Sequence, residues 1–147
     1  MKPSQQCYDL IKSFEGLSLK AYLDPIGIPT IGYGSIRHPN GDRVRMGDKI
    51  TLQQAGEYLA HEVKEFADMV SMLAPNINQS QFDALVSFAF NLGSGNLRAS
   101  TLLKKVRNNP ADPTIRQEFL KWNRAGGQVL RGLTRRRKAE ADLYFSL

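Results

Sequence analysis

The strongest constraint on this chain is one apolar stripe between Thr51 and Pro75. Leu52, Ala55, Leu59, Val63, Phe66, Val70 and Leu73 recur at three- and four-residue intervals, the spacing of one face of an α-helix. Thr51 and Gln54 make a capping-box signature at its start, and Pro75 stops it. Such a helix is about 33 Å long at roughly 1.5 Å per residue. It is a strut that the rest of the chain has to be built around.

The sequence differs on the two sides of that strut. Before it, Ser4 is placed to cap a short helix reaching Phe14 or Glu15. Cys7, Leu10, Ile11 and Phe14 are its apolar face, and Gly16 stands where a C-cap belongs. Between Leu17 and Met46, glycines and prolines then punctuate short apolar pieces. That pattern predicts a small antiparallel sheet, with strands over Leu19–Tyr22, Thr30–Gly34 and Arg43–Met46. A turn is expected at His38-Pro39-Asn40-Gly41-Asp42.

After the strut the pattern is helical. Asn78 or Ser80 caps a helix through Leu92, which Gly93 stops. Its Phe82, Leu85, Val86, Phe88, Ala89, Phe90 and Leu92 are apolar nearly all round, as expected of a central core helix. Shorter helices are expected over Ala99–Asn108 and Pro113–Trp122, then a loop over Arg124–Gln128 and a last helix over Val129–Phe145. The expected class is α+β: a small N-terminal antiparallel β-lobe, a long connecting helix and a larger helical C-terminal lobe, with a cleft between the lobes. We expect one domain over 1–147, with a β-lobe at about 15–50, the connecting helix at 51–73 and a helical lobe at 74–147 onto which helix 1–15 packs.

Composition narrows the function classes. A hydrophobic content of 41% is that of an ordinary globular protein. The single cysteine, Cys7, excludes an internal disulfide and reads as a buried thiol. A net charge of +6 favours an anionic partner without selecting nucleic acid, membrane or glycan. The N-terminus lacks the apolar run of a signal peptide or anchor, so synthesis in the cytoplasm is expected. The two histidines and one cysteine have no metal-ligand spacing. His61 reads as a surface residue and His38 as a turn histidine.

Cleavage of an acetal requires one carboxyl group that still holds its proton and a second that has lost it. Glu15 suits the first role, since it closes an apolar stripe at the negative end of a helix, and both conditions disfavour its ionised form. Asp24 suits the second, in a turn before Pro25. Thr30, six residues on, could hold a water for it. Taken alone, these residues also fit a solvated helix end and a turn former.

The run Phe14-Glu15-Gly16-Leu17-Ser18-Leu19-Lys20-Ala21-Tyr22-Leu23-Asp24, followed by Pro29-Thr30-Ile31-Gly32-Tyr33-Gly34, resembles the active-site signature of phage-type lysozymes. These are the endolysins of T-even and lambdoid phages, glycoside hydrolase family 24. Later stretches agree: Gly47–Thr51, Phe88–Gly93 with Ser100–Leu103, and Trp122 with Gly126-Gly127 and Gly132–Arg137. The resemblance covers nearly the whole chain.

It implies a lysozyme-like fold and a muramidase that needs no cofactor. The bond cut would be the β-1,4 link from N-acetylmuramic acid to N-acetylglucosamine. Glu15 would be the general acid, Asp24 the second carboxylate and Thr30 the holder of the hydrolytic water, with inversion at the anomeric carbon. Ile36, Phe90, Asn91 and Thr101 would line the substrate site, Asn91 replacing a glutamine of the T-even members. The partner would be the glycan strands of peptidoglycan, met by a monomer that acts in the periplasm after a holin-like protein lets it out. One departure is Ser35, where many members carry a histidine serving an ion pair; His38 is weighed as its substitute, against the favoured reading of an exposed turn histidine.

Three other readings are weighed against this one: an inactive glycan-binding module, a basic nucleic-acid-binding protein, and a lytic transglycosylase. Intact Glu15, Asp24 and Thr30 oppose the first. The cluster Arg135-Arg136-Arg137-Lys138 tempts the second, but is expected to be a solvated face with Arg136 and Lys138 paired to Glu140 and Asp142. The third makes no use of the Asp24 and Thr30 water site.

Overall fold

A computed structural model describes residues 1–146; Leu147, the end of the expected domain and of its helical lobe, lies outside them. The described residues form seven helices and four short strands. They divide into two compact units. One, here the hairpin unit, is Ile11–Glu65. The other, the helical unit, is Met1–Leu10 with the chain from Phe66 onward. The dividing lines fall inside helices α1 (Gln5–Phe14) and α2 (Leu52–Leu73), so each of these contributes to both units.

In the hairpin unit, β1 (Ser18–Leu23) pairs antiparallel with β2 (Pro29–Gly32). Tyr22 faces Thr30 and Leu23 faces Pro29, but Ser18 faces Gly32, so the register shifts along β1. The middle of β1 turns instead to the segment before α2. Lys20 bridges Lys49, and Ile50 N–H donates to the Leu19 carbonyl at 2.9 Å. The expected third strand, Arg43–Met46, is not an extended ladder. It makes an isolated bridge, Arg37 to Arg43, and a bond from Val44 N–H to the Ile36 carbonyl. Gly41 and Gly47, at φ +95° and +99°, turn the backbone at both ends of this piece. Ile31, Val44, Ile50 and Ala55 form the unit's core, with Ala21, Tyr33 and Tyr58 against it.

The cap on α2 is the one expected: Gln54 N–H donates to Thr51 Oγ1 at 3.1 Å, and Thr51 N–H donates to the Gln54 amide oxygen at 2.9 Å. Its stripe is buried at Ala55, Leu59, Val63 and Val70, whereas Leu52 is exposed.

The helical unit is arranged around α3 (Gln79–Leu92), whose residues 82–89 are all buried. Asn78, not Ser80, is its cap, in a reciprocal box with Gln81. Phe88 meets Phe119 and Trp122 edge-on at 5.8 and 5.6 Å between ring centroids. At the chain's start, Ser4 turns its hydroxyl onto the buried Asp83 carboxylate, and Cys7 is fully buried with Sγ 3.6 Å from the Asp83 carbonyl.

After Gly93 come α4 (Ser94–Ala99), α5 (Thr101–Asn108) and α6 (Ile115–Leu120). The expected helix Ala99–Asn108 therefore begins later, because the Ser100 hydroxyl caps α5 by accepting from Leu103 N–H at 3.0 Å. The expected loop 124–128 is a hairpin, β3 (Arg124–Ala125) and β4 (Gln128–Val129). Gly126 and Gly127, both at positive φ, form its two-residue turn.

The last helix, α7 (Arg131–Tyr144), contradicts the expected solvated basic face. Arg136, Arg137 and Glu140 are buried. Arg137 Nε lies 2.7 Å from Glu140 Oε1, off the ideal hydrogen-bond angle, while Nη2 donates to Oε2 at 3.1 Å. Ser87 Oγ donates to the same Oε2 at 2.6 Å. Arg136 does pair with Glu140, but Asp142 pairs with Arg116 at 2.7 Å and not with Lys138. Leu130, just before the helix, is exposed, whereas Ala141 and Tyr144 are buried.

Candidate active site

Glu15 is the first residue past α1. Its N–H still donates to the Ile11 carbonyl at 3.0 Å, so its half-buried side chain leaves from the C-terminal end of the helix. Its Oε2 lies 3.6 Å from where a Cβ on Gly34 would stand. Gly34 has φ +96°, a conformation that suits glycine, and so the backbone passes close to the acid. Lys12, one turn back, sits over the Tyr33 ring with Nζ 5.4 Å from the centroid.

Asp24 closes the β1–β2 turn. Its Oδ1 accepts from Ile26 N–H at 3.0 Å and Ile28 N–H at 2.8 Å, an aspartate turn of the usual kind. Its main-chain N–H donates to the Ile28 carbonyl at 2.9 Å. Thr30 is buried, and its hydroxyl donates to that same carbonyl at 2.9 Å. The main chain of one residue, Ile28, thus orients both Asp24 and Thr30. Oδ2 of Asp24 makes no hydrogen bond among the described residues, and the Thr30 oxygen keeps acceptor capacity while donating.

Glu62 on α2 was not anticipated. Burial pushes its carboxyl above the ordinary range, and the charge of Glu15 adds to the effect. The Ser35 hydroxyl and His61 pull the other way. Ser35 is itself buried, and its hydroxyl meets no partner at good hydrogen-bond geometry among the described residues. The signal for Glu62 was its position three residues after Leu59 and four before Phe66, on the flank of the apolar stripe.

His38 is more than a turn histidine. Nε2 lies 2.9 Å from Asp48 Oδ2, and Nδ1 lies 2.7 Å from the Tyr58 hydroxyl. Asp48 also accepts from Arg45 N–H at 2.9 Å. That bond, then the histidine, holds its carboxyl below the usual range. The cluster ties the 38–48 loop to α2. His61 is exposed, as expected.

Among the residues expected to line the substrate site, Ile36 lies in the hairpin unit and is 41% exposed. Phe90, Asn91 and Thr101 belong to the helical unit. Phe90 is half-buried, edge-on to Phe66 at 5.6 Å. Asn91 Oδ1 already accepts from Arg137 Nη2 at 2.8 Å, which leaves its NH₂ group to donate. Thr101 is exposed, one residue after the α5 cap.

Glu15 at a helix end, Asp24 in a turn and Thr30 on β2 thus belong to one hairpin unit of an α+β fold. A family model for phage lysozyme matches residues 12–140, and the chain belongs to that family. An endolysin of Bacillus phage B103 is 43% identical over 148 residues, covering 99% of this chain and 55% of its own length. The chain thus spans about half the length of the Bacillus phage relatives it matches. The solved endolysin of Escherichia coli O157:H7 phage FAHEc1 is 40% identical with a TM-score of 0.90, covering 99% of this chain and 94% of that one. A solved phage P22 lysozyme variant is 35% identical with a TM-score of 0.87, covering 99% of each chain. The fold is lysozyme-like, as the sequence led us to expect.

Proposed function

We propose that the protein is a muramidase that hydrolyses the β-1,4 bond between N-acetylmuramic acid and N-acetylglucosamine in peptidoglycan. The observation that carries this reading is the main chain of Ile28, whose N–H donates to Asp24 and whose carbonyl accepts from Thr30. It fixes the Asp24 carboxylate and the Thr30 hydroxyl together, on the hairpin that follows Glu15. Glu15 donates the proton to the leaving oxygen. Asp24, through Oδ2, takes the proton of a water whose hydrogen bond to Thr30 sets its approach. Attack by a bound water, rather than by Asp24 itself, inverts the anomeric carbon. Family membership and the endolysin names of the relatives support the reading.

The same proposal has Ile36, Phe90, Asn91 and Thr101 contact the glycan, with the Asn91 NH₂ group as donor. The protein acts as a monomer on the wall in the periplasm, once a separate holin-like protein has opened the inner membrane. Purified protein added to permeabilised cells is expected to lower wall turbidity and release new reducing ends. Cells expressing the protein without a permeabilising partner should stay intact. Stable walls in the first assay would remove the enzymatic reading, and lysis in the second would remove the holin requirement.

A further inference from the structure

Beside the Asp24 turn, the hairpin unit carries a cavity of about 440 Å³ that shares only Ile36 with the residues proposed to contact the glycan. This is within the usual size of a ligand site, roughly 300–1,000 Å³. Its apolar lining is Ile28, Pro29, Ile36, Val44 and Met46. Ile28 is the residue whose peptide holds Asp24 and Thr30, and Pro29 is bonded directly to Thr30. The cavity thus borders the stretch of main chain that holds Asp24 and Thr30.

The remaining lining is charged: Asp42, Arg43 and Arg45. Both arginines are exposed, and neither forms an ion pair with a carboxylate within 4.0 Å among the described residues. Asp42 opposes an anion, but its carboxylate already accepts from the Asn40 amide at 3.2 Å. Two cations against one carboxylate leave the lining net positive, above an apolar floor.

An occupant should therefore combine small apolar groups with carboxylates. The glycan proposed as substrate carries such a group on every second sugar: a lactyl-linked peptide with alanine methyls and free carboxylates. A glycerol-phosphate wall polymer offers the charge, but would leave the apolar floor uncovered. We propose that this cavity receives the anionic peptide substituent of the muramyl residue, with its methyl groups over Ile28, Ile36 and Met46 and its carboxylates toward Arg43 and Arg45. The inference rests on the muramidase reading for its substrate class.

The test has a kinetic arm and a binding arm. In the first, kcat/KM is measured on peptide-bearing glycan and on glycan stripped of its peptides by an amidase. The wild-type protein should prefer the peptide-bearing glycan. Arg43→Gln with Arg45→Gln should cut that preference at least about fivefold, and the paired lysine variant should keep most of it. In the second arm, methyl spectra of the Glu15→Gln protein are followed on adding N-acetylmuramyl-L-alanyl-D-glutamate, N-acetylmuramic acid or glycerol phosphate. Shifts at Ile28, Ile36 and Met46 with the first probe alone are expected. A preference that survives the double glutamine change, or equal shifts with glycerol phosphate, overturns the proposal. If the wild-type protein cleaves neither glycan, the muramidase reading fails, and the binding arm still judges the cavity.

Discussion

At Ile28 the main chain, not the side chain, organises the site. Its N–H is bound by Asp24 and its carbonyl by Thr30, so both proposed catalytic groups are tied to the main chain of one residue. Glu15 is positioned separately, by the end of α1 and the close passage of Gly34. Glu15→Gln is expected to slow turbidity loss by at least about 100-fold, the lower range for a general acid, with an unchanged melting temperature. Gly34→Ala forces a side chain into a left-handed conformation, which costs roughly 1–2 kcal/mol, and puts a methyl against the acid. Gly27→Ala, at φ +85° with nothing within 4 Å of a new Cβ, is the control. Both variants should lose stability, but only the Gly34 change should also lower kcat. Glu62 gives a sign test. Its carboxyl is pushed up by burial, so ionisation above its ordinary value costs the folded state. Glu62→Gln should raise the melting temperature at pH 7 and bring no gain below about pH 4.

At the scale of elements, two readings from the sequence failed for identifiable reasons. The charges of α7 were assigned to solvent because arginines are rarely buried unpaired. The i+4 pairing of Arg136 with Glu140 was legible, but the burial of both and the pairing of Glu140 with Arg137 were not. Ser87, on α3, completes the set, which no spacing within α7 reveals. Burial pushes the Glu140 carboxyl up, while Arg137, Ser87 and Arg136 pull it down. Truncating one member strands a buried charge, so Glu140→Ala should cost about 3–5 kcal/mol, measured by denaturant unfolding. The strand expected over Arg43–Met46 failed because turn residues mark where a piece starts and stops, not whether it finds a ladder partner; this one makes a single bridge, to Arg37. Local signals with their own chemistry did survive: the Thr51 cap, the Gly93 stop and the Asp24 turn were legible because short-range hydrogen bonds decide them.

For the molecule as a whole, the β-hairpin, the long α2 and the helical unit were legible because periodicity and turn residues agree along those stretches. The proposed chemistry of the site rests on the motif from Phe14 to Gly34, since Glu15 and Asp24 alone fit ordinary surface roles. Acid stability should follow the carboxylates tied into the fold. Asp48 is held low by Arg45 N–H and His38. Glu118 is raised by burial, but more strongly lowered by Lys121 and Lys105. A depressed folded pKa stabilises above the ordinary carboxylate range and loses that contribution as pH falls through the folded value. The melting temperature should therefore drop below about pH 4, and less steeply in Asp48→Asn. Cys7, fully buried with its thiol pushed up by burial, should resist a disulfide reagent until the protein unfolds.

The most direct test of the account is mass analysis of muropeptides released by the wild-type protein in ¹⁸O-labelled water. Free N-acetylmuramic acid reducing ends carrying one ¹⁸O, initially in the α configuration and absent with Glu15→Gln, are the predicted result. Anhydromuramic ends without label, or release that persists in Glu15→Gln, would contradict it.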